Sequence, residues 1–151
     1  YREYYEEKGM FENEVYPGIK ELLRVLTKQG ILCLVATSKP EIYAKKILDY
    51  YELSNYFYYI AGANMDGTRT DKAEVIAYAL KQIPAEYSNK KVLMVGDRSH
   101  DIIGAKKNGI DCAGVLFGYG SREELEEAGA DFVADSVEAV RNIVFLNAAK
   151  N

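Results

Sequence analysis

The chain has 151 residues, a formal net charge of −4 and a pI near 5.1. This length can bury one hydrophobic core, and 48% hydrophobic with 28% charged residues is ordinary for a globular protein. The acidic balance argues against a nucleic-acid-binding protein. Because no apolar run reaches membrane-spanning length and no signal peptide is evident, we expect no membrane partner and a cytoplasmic location.

The first half of the chain predicts helices and strands in alternation. Apolar residues at helical spacing indicate amphipathic helices, whereas the continuous apolar run over 31–36 is too short for a helix and predicts a buried parallel strand. The segment Thr37-Ser38-Lys39-Pro40 is then the loop after that strand. The predicted elements here are helices over 1–7, 19–29 and 41–50 and strands over 31–36 and 56–61.

The second half continues the same alternation. Its predicted elements are helices over 73–82, 99–108, 122–128 and 137–146 and strands over 92–95, 112–116 and 132–134. Strands that alternate with helices predict an α/β fold with a mostly parallel sheet. In such folds the loops at the carboxyl ends of the strands bind the ligand.

Two aspartates follow the strand predicted over 92–95. Gly96-Asp97 ends the apolar run, and Asp101 follows four residues later at the start of a helical pattern. Two acids on one small surface repel each other, and a hard cation such as Mg²⁺ relieves the repulsion by binding their oxygens. The pattern therefore indicates a metal site for phosphate chemistry. The alternative is an Asp helix cap beside an exposed acid.

Two further positions are suited to bind a phosphate. Thr37-Ser38-Lys39 offers hydroxyl and backbone N–H groups at a strand end, although a helix N-cap is the alternative. Lys72 begins a helical pattern, where the helix dipole disfavours a cation unless an anion is near. The alternative for Lys72 is a solvated side chain. On this reasoning, Lys72→Met leaves thermal stability unaltered or raises it.

The order of these motifs resembles that of the haloacid dehalogenase-like hydrolase superfamily. The matching segments are Val35-Ala36-Thr37-Ser38-Lys39-Pro40, Thr70-Asp71-Lys72, Val95-Gly96-Asp97-Arg98-Ser99-His100-Asp101, and the linking pieces Tyr16-Pro17-Gly18 and Gly118-Tyr119-Gly120 with Glu124-Leu125. The resemblance spans nearly the whole chain. It is closest to the phosphoglycolate-phosphatase-like branch, which includes 5′-nucleotidase-like members.

The resemblance implies a Rossmann-like three-layer core and a Mg²⁺-dependent phosphatase that works through an aspartyl-phosphate. It assigns the phosphoryl group to Thr37, helped by the Ser38 backbone, and charge neutralisation to Lys72. Asp97 binds Mg²⁺ directly in this assignment. Asp101 completes the acidic site, as a ligand through water or as an orienting partner. These roles suit phosphoryl transfer, which depends on positioning and charge neutralisation.

The nucleophile is where the chain departs from the family. The family carries it, with the general acid, in an Asp-x-Asp motif at the end of the first strand, and no residue before Thr37 matches that motif. The lookalike Asn64-Met65-Asp66 has Asn in the nucleophile position, and Asn cannot form an acyl phosphate. We therefore expect the chain to be the carboxyl-terminal part of a longer enzyme, with residues 1–14 a remnant of its helical cap and residues 15–151 its core.

On this interpretation the sheet lacks its first, central strand. The strands predicted over 31–36 and 92–95 then each present an edge of unpaired backbone groups. Three outcomes are open: the missing segment is supplied elsewhere, the two strands close up, or the chain is poorly stable. The expected partners are a small phosphorylated metabolite and either the missing N-terminal segment or a second copy of the chain.

The function expected for the full-length protein is hydrolysis of a small phosphomonoester, with phosphoglycolate the first substrate and a nucleoside monophosphate the second. The chain alone is expected to be inactive. The alternative is a non-catalytic domain, either a pseudo-enzyme or a receiver-like module. The acidic residues Glu123, Glu124, Glu126 and Glu127 are expected on a solvated helix face, and Cys33 and Cys112 are expected to be unpaired core thiols.

Overall fold

The computed structural model describes residues 16–149, so the helix predicted over 1–7 and the cap remnant predicted over 1–14 lie outside the described residues. In chain order the elements are α1 (Ile19–Lys28), β1 (Leu34–Pro40), α2 (Glu41–Tyr50), β2 (Tyr59–Ala63), α3 (Lys72–Lys81), β3 (Leu93–Gly96), α4 (Ser99–Lys107), β4 (Asp111–Val115), α5 (Arg122–Glu127), β5 (Phe132–Ala134) and α6 (Val137–Ala149). Two short 3-10 helices, Ser54–Tyr56 and Ala85–Tyr87, precede β2 and β3. Within the described range, no helix has the length and apolar character needed to cross a membrane.

The predicted α/β alternation is confirmed, and the largest boundary error is at β1. The sequence predicted this strand over 31–36, but β1 begins at Leu34, opposite Tyr59 of β2, and continues to Pro40. The residues predicted as a loop after the strand therefore form its last part. The register between the strands shifts after Ala36. Pro40, the last residue of β1, is also the N-cap of α2. An apolar run reports burial and does not report which of its residues find a partner strand.

The strands form two parallel sheets. One pairs β1 with β2, and the other has the order β3-β4-β5. Among residues 16–149 no strand pairing joins β1 to β3, so of the three open outcomes the closing up of these two strands is not observed. Burial in the three-stranded sheet follows the position of the strands, since β4 lies in the middle and β3 at an edge. The residues of β2 and β4 are mostly buried, whereas β1 and β3 are half-exposed, and Val95 of β3 is 39% exposed.

Helices cover both faces of the three-stranded sheet. On one face Ile102 and Ala105 of α4 and Leu125 of α5 pack on Cys112 of β4. On the other face α1 and α6 contribute a second cluster with β4 and β5, whose buried members are Leu22, Leu26, Val115, Ala134 and Val140. Cys112 and Val115 point to opposite faces because side chains alternate along a strand. This arrangement confirms the expected layered core with parallel strands.

Helix α3 links the two sheets. Val75 and Ala79 of α3 pack on Ala61 of β2, while the start of the same helix crosses α4. The crossing is close because Gly104 of α4 has no side chain: a Cβ there would lie 3.1 Å from the backbone nitrogen of Ala73. The side-chain amide of Asn108 also donates to the Ala73 carbonyl at 3.0 Å. The start of α3 is thereby held against the second half of α4.

The orientation of α4 generates a stability prediction with an internal control. Ile102 is fully buried, whereas its neighbour Ile103 is 45% exposed. We expect Ile102→Ala to lower the free energy of unfolding by about 2–5 kcal/mol, because it removes buried methyl groups and leaves a cavity. Ile103→Ala should change it by less than about 0.5 kcal/mol. Urea unfolding of both variants measures the difference, and equal losses would contradict this placement of the helix.

Candidate functional site

Asp101 is the buried centre of the site. It lies in the first turn of α4 and is 4% exposed. Its Oδ2 atom accepts the backbone N–H groups of Asp97 at 3.0 Å and Arg98 at 3.2 Å. Its Oδ1 atom lies 2.7 Å from Nζ of Lys72. Both carboxylate oxygens are therefore engaged within the protein, so Asp101 is not the exposed acid of the sequence-based alternative.

Gly96 allows this arrangement. A Cβ at that position would lie 2.4 Å from Cβ of Asp101, a distance that two carbon atoms cannot share. The glycine of the Gly-Asp pair is thus required by the close approach of the Asp101 side chain to the end of β3. The spacing that singled out these residues in the sequence has a packing reason as well as a chemical one.

Lys72 is the first residue of α3, and its side chain is 12% exposed. The alternative of a solvated lysine is therefore wrong. The anion that compensates for its unfavourable position at a helix start is the carboxylate of Asp101. The preceding residue, Asp71, caps the helix by accepting the Ala73 N–H at 3.1 Å. This finding also reverses the stability expected for Lys72→Met, since the lysine neutralises a buried charge.

Asp97 is half-buried and is held by the loop that follows β4. The N–H of Tyr119 donates to Oδ2 of Asp97 at 3.0 Å, and the N–H of Gly120 donates to its backbone carbonyl at 2.8 Å. Gly118 completes the contact, because a Cβ there would lie 2.3 Å from Cβ of Asp97. Among residues 16–149, Oδ1 of Asp97 accepts no hydrogen bond. That oxygen is a hard donor of the kind that Mg²⁺ prefers.

No group of three or more His, Cys, Asp or Glu side chains within residues 16–149 has the geometry of a metal site. A cation at Asp97 would complete its coordination with water, phosphate or oxygens from elsewhere, as Mg²⁺ commonly does. His100, the single histidine of the chain, is 58% exposed, and its Nε2 atom lies 3.8 Å from Oδ1 of Asp101.

Thr37 and Ser38 lie in the last part of β1. The Thr37 hydroxyl oxygen accepts the Lys39 N–H at 3.1 Å. Helix α2 takes Pro40 as its N-cap without a side-chain hydrogen bond, so the N-cap alternative for Thr37 is wrong. Ser38 is exposed. No hydrogen bond or ion pair joins Thr37 or Ser38 to Lys72, Asp97 or Asp101 among residues 16–149, and α3 packs against both β1 and α4.

The lookalike at Asn64-Met65-Asp66 is a self-contained turn. Oδ1 of Asp66 accepts the backbone N–H of Thr68 at 3.0 Å and its hydroxyl at 2.7 Å. These hydrogen bonds lower the pKa of the exposed Asp66 carboxyl below its ordinary value. The side-chain amide of Asn64 donates to the same hydroxyl at 2.8 Å. The carboxylate serves to close its own loop.

The sequence interpretation missed two polar contacts around the site. Glu124 was expected on a solvated helix face, but its Oε2 atom accepts the Ser99 N–H at 2.7 Å and Nε of Arg98 at 2.9 Å. In addition, Glu41 accepts the Gly62 N–H at 3.1 Å, and the guanidinium of Arg69 lies 3.6 Å from the same carboxylate. The matching segment Gly118-Tyr119-Gly120 with Glu124 was the available signal for the first contact.

Comparison with known proteins identifies the group to which this chain is similar. The family model described as haloacid dehalogenase-like hydrolase matches residues 1–115. The chain is 39% identical over 146 residues to a 5′-nucleotidase of Pseudomonas aeruginosa, covering 95% of the chain. It is 39% identical over 133 residues to tyrosine-protein kinase PtkA of Mycobacterium tuberculosis and 29% identical over 146 residues to a phosphoglycolate phosphatase of Vibrio vulnificus, covering 88% and 97% of the chain.

A solved structure of a predicted phosphatase from Clostridium acetobutylicum superposes on the chain with a TM-score of 0.89 at 41% identity, covering 96% of the chain and 66% of that protein. The chain spans 64% of the Pseudomonas relative, 63% of the Vibrio relative and 45% of the Mycobacterium relative. The similarity therefore covers nearly all of this chain and only part of the relatives.

The ion pair between Lys72 and Asp101 generates a stability prediction. Lys72→Met should lower the free energy of unfolding by about 3 kcal/mol, because it leaves the buried Asp101 carboxylate without its cation. Urea unfolding at neutral pH measures the loss. In the double variant with Asp101→Asn, the two losses should fall short of additivity, since the second change removes the stranded charge.

Lys81→Met provides the matched control. Lys81 lies in the last turn of the same helix and is exposed, so its replacement should change the free energy of unfolding by less than about 0.5 kcal/mol. If Lys72→Met were as mild as Lys81→Met, the ion pair would contribute nothing to stability.

Proposed function

The chain belongs to the haloacid dehalogenase-like hydrolase family, and on this premise we propose that it is the core of a Mg²⁺-dependent phosphatase. The proposed reaction is hydrolysis of a small phosphomonoester through an aspartyl-phosphate. The observation that carries the proposal is the cluster of Lys72, Asp101 and Asp97 at the carboxyl end of β3. It combines a fixed cation with oriented acids, and phosphoryl transfer depends on such positioning and charge neutralisation.

Asp97 is the residue proposed to hold Mg²⁺. Its Oδ2 atom is oriented by the Tyr119 N–H, and its Oδ1 atom accepts no hydrogen bond within residues 16–149, so the donor set suits a hard cation. Bound Mg²⁺ would withdraw charge from a phosphoryl oxygen. For Asp101 the contacts favour the orienting role over the ligand role, since both of its oxygens are engaged.

Lys72 and Thr37 are the residues proposed to bind the phosphoryl group. Asp101 holds the Lys72 ammonium in place, and that ammonium neutralises phosphoryl oxygens as charge builds up on them. The Thr37 hydroxyl oxygen already accepts the Lys39 N–H, which leaves the hydroxyl hydrogen to be donated to a phosphoryl oxygen. The Ser38 backbone N–H is assigned to the same group.

The nucleophile and general acid are proposed to come from a further segment that lies between β1 and β3. Half-exposed apolar residues line both of these strands, and the strands pair only on their other sides within the described residues. A strand added there would pair with both edges and cover Val95. The source is either an N-terminal segment of the same protein or a second copy of the chain.

The proposed substrates are phosphoglycolate and, as the alternative, a nucleoside monophosphate. The similarity to both a 5′-nucleotidase and a phosphoglycolate phosphatase supports small phosphomonoesters as the class. A non-catalytic metal-binding domain is the alternative from another class. For the location we propose the cytoplasm, because both cysteines are unpaired and burial raises the pKa of each thiol.

The activity test compares the 151-residue chain with the full-length protein. We expect the full-length protein to hydrolyse phosphoglycolate or a nucleoside monophosphate with Mg²⁺, and the chain alone to release no phosphate, because no residue before Thr37 matches the Asp-x-Asp motif that carries the nucleophile in the family. Phosphate release measures both. Absence of activity in the full-length protein towards every small phosphomonoester would favour the non-catalytic alternative.

Asp97→Asn tests the metal assignment in the full-length protein. We expect it to lower Mg²⁺-dependent turnover by about a hundredfold or more, since it removes a charged oxygen ligand. Asp66→Asn is the control, because Asp66 is exposed and its contacts close its own turn. Normal turnover with unchanged Mg²⁺ dependence in Asp97→Asn would contradict the assignment, and a loss confined to Asp66→Asn would move the chemistry to that turn.

A further inference from the structure

The first turns of α4 and α5 meet beside Asp97, and Glu124 joins them. Oε2 of Glu124 accepts the N–H of Ser99, the first residue of α4, at 2.7 Å. It also accepts Nε of Arg98 at 2.9 Å. The carboxylate thus satisfies one of the N–H groups that the start of a helix leaves unpaired and places a negative charge at the positive end of the helix dipole. The Glu124 side chain is 28% exposed.

The short connection from β4 to α5 carries the groups that hold Asp97. Tyr119 donates to the Asp97 side chain and Gly120 to its carbonyl, and Ser121 then caps α5 by accepting the Glu124 N–H at 3.1 Å. Glu124 therefore lies only a few residues after the N–H groups that contact Asp97. Its side chain reaches back to Arg98 and Ser99, the two residues that follow Asp97.

We propose that Glu124 is a positioning residue for Asp97. By tying α5 to α4, it keeps the N–H groups of Tyr119 and Gly120 on Asp97 and so fixes the orientation in which Oδ1 of Asp97 is available to a cation. The contacts alone support the ordering of the loop that carries Tyr119 and Gly120. The effect on cation affinity rests on the proposed function.

The charge state of Glu124 supports this role. Hydrogen bonds from the Arg98 side chain and the Ser99 backbone hold the pKa of the Glu124 carboxyl below its ordinary value. The carboxylate is therefore charged at neutral pH, and charge-assisted hydrogen bonds of this kind are shorter and stronger than neutral ones. A glutamine at this position keeps an oxygen that can accept the Ser99 N–H but loses the ion pair with Arg98.

The test compares Glu124→Ala, Glu124→Gln and Glu126→Ala in the full-length protein. Glu126 is the matched control, because it is an exposed acid on the same helix and pairs with the exposed Arg122. The first measurement is amide hydrogen exchange. Glu124→Ala should speed exchange at Tyr119 and Gly120 by about tenfold, while Leu125 of α5 and its C-cap residue Ala128 keep their protection. Glu124→Gln should fall between the wild type and Glu124→Ala, and Glu126→Ala should match the wild type.

The second measurement is a Mg²⁺ titration in which the NMR chemical shifts of the backbone amides of Asp97, Tyr119 and Gly120 report binding. This measurement needs no turnover. We expect Glu124→Ala to raise the Mg²⁺ dissociation constant by about tenfold, an effect typical of removing an orienting partner, and Glu126→Ala to leave it unchanged.

The outcomes separate the positioning role from the proposed function. Unchanged exchange at Tyr119 and Gly120 in Glu124→Ala would overturn the positioning role, and so would an equal loss of protection throughout α5, which would indicate only helix stability. Faster exchange confined to Tyr119 and Gly120, with an unchanged Mg²⁺ dissociation constant, would overturn the proposed effect of Glu124 on cation affinity. If the wild-type protein shows no Mg²⁺-dependent shifts, the proposed metal site fails, and loop-confined exchange would still support the positioning role.

Discussion

The buried carboxylate of Asp101 is the group on which the arrangement of the site depends. It joins three elements: the end of β3 through the Asp97 N–H, its own helix α4, and the start of α3 through Lys72. A charge with so little exposure needs compensation within the protein: Oδ2 accepts two backbone N–H groups, and Oδ1 is paired with the Lys72 ammonium. The same contacts that stabilise the buried charge place a cation, Lys72, and a second acid, Asp97, beside it. Stability and site geometry are therefore coupled through one side chain.

The division of the sheet is the second constraint. In the three-stranded sheet the middle strand β4 is buried and the edge strand β3 is half-exposed, and in the two-stranded sheet β2 is buried and β1 is half-exposed. Helix α3 and the crossing at Gly104 hold the two sheets together by packing rather than by strand hydrogen bonds. This explains how Thr37 and Lys72 are positioned by one scaffold, with no hydrogen bond between them among residues 16–149.

The sequence predicted the order and type of the elements because burial and helical periodicity are local properties. It predicted β1 too early because the start of a strand depends on where its partner begins, and Tyr59 of β2 sets that point. It also identified Lys72 as unusual, since a cation at a helix start needs an anion, but it could not name Asp101 as that anion. Glu124 was misjudged for the same reason: an acidic run is typical of a solvated face, and only the packing of α5 against α4 shows which acid turns inward.

The charged residues around the connection between β3 and α4 have a consistent pattern. Lys72 pairs with Asp101, and Arg98 pairs with Glu124. The Asp97 carboxylate, unlike those of Asp101 and Glu124, has no ion-pair partner among residues 16–149. The Tyr119 N–H orients it without neutralising its charge. A half-buried carboxylate in this state keeps its attraction for an added cation, because the neighbouring acids are already compensated and the neighbouring cations are already engaged. The two ion pairs thus leave the unpaired negative charge of the loop on Asp97, the side chain nearest the end of the strand.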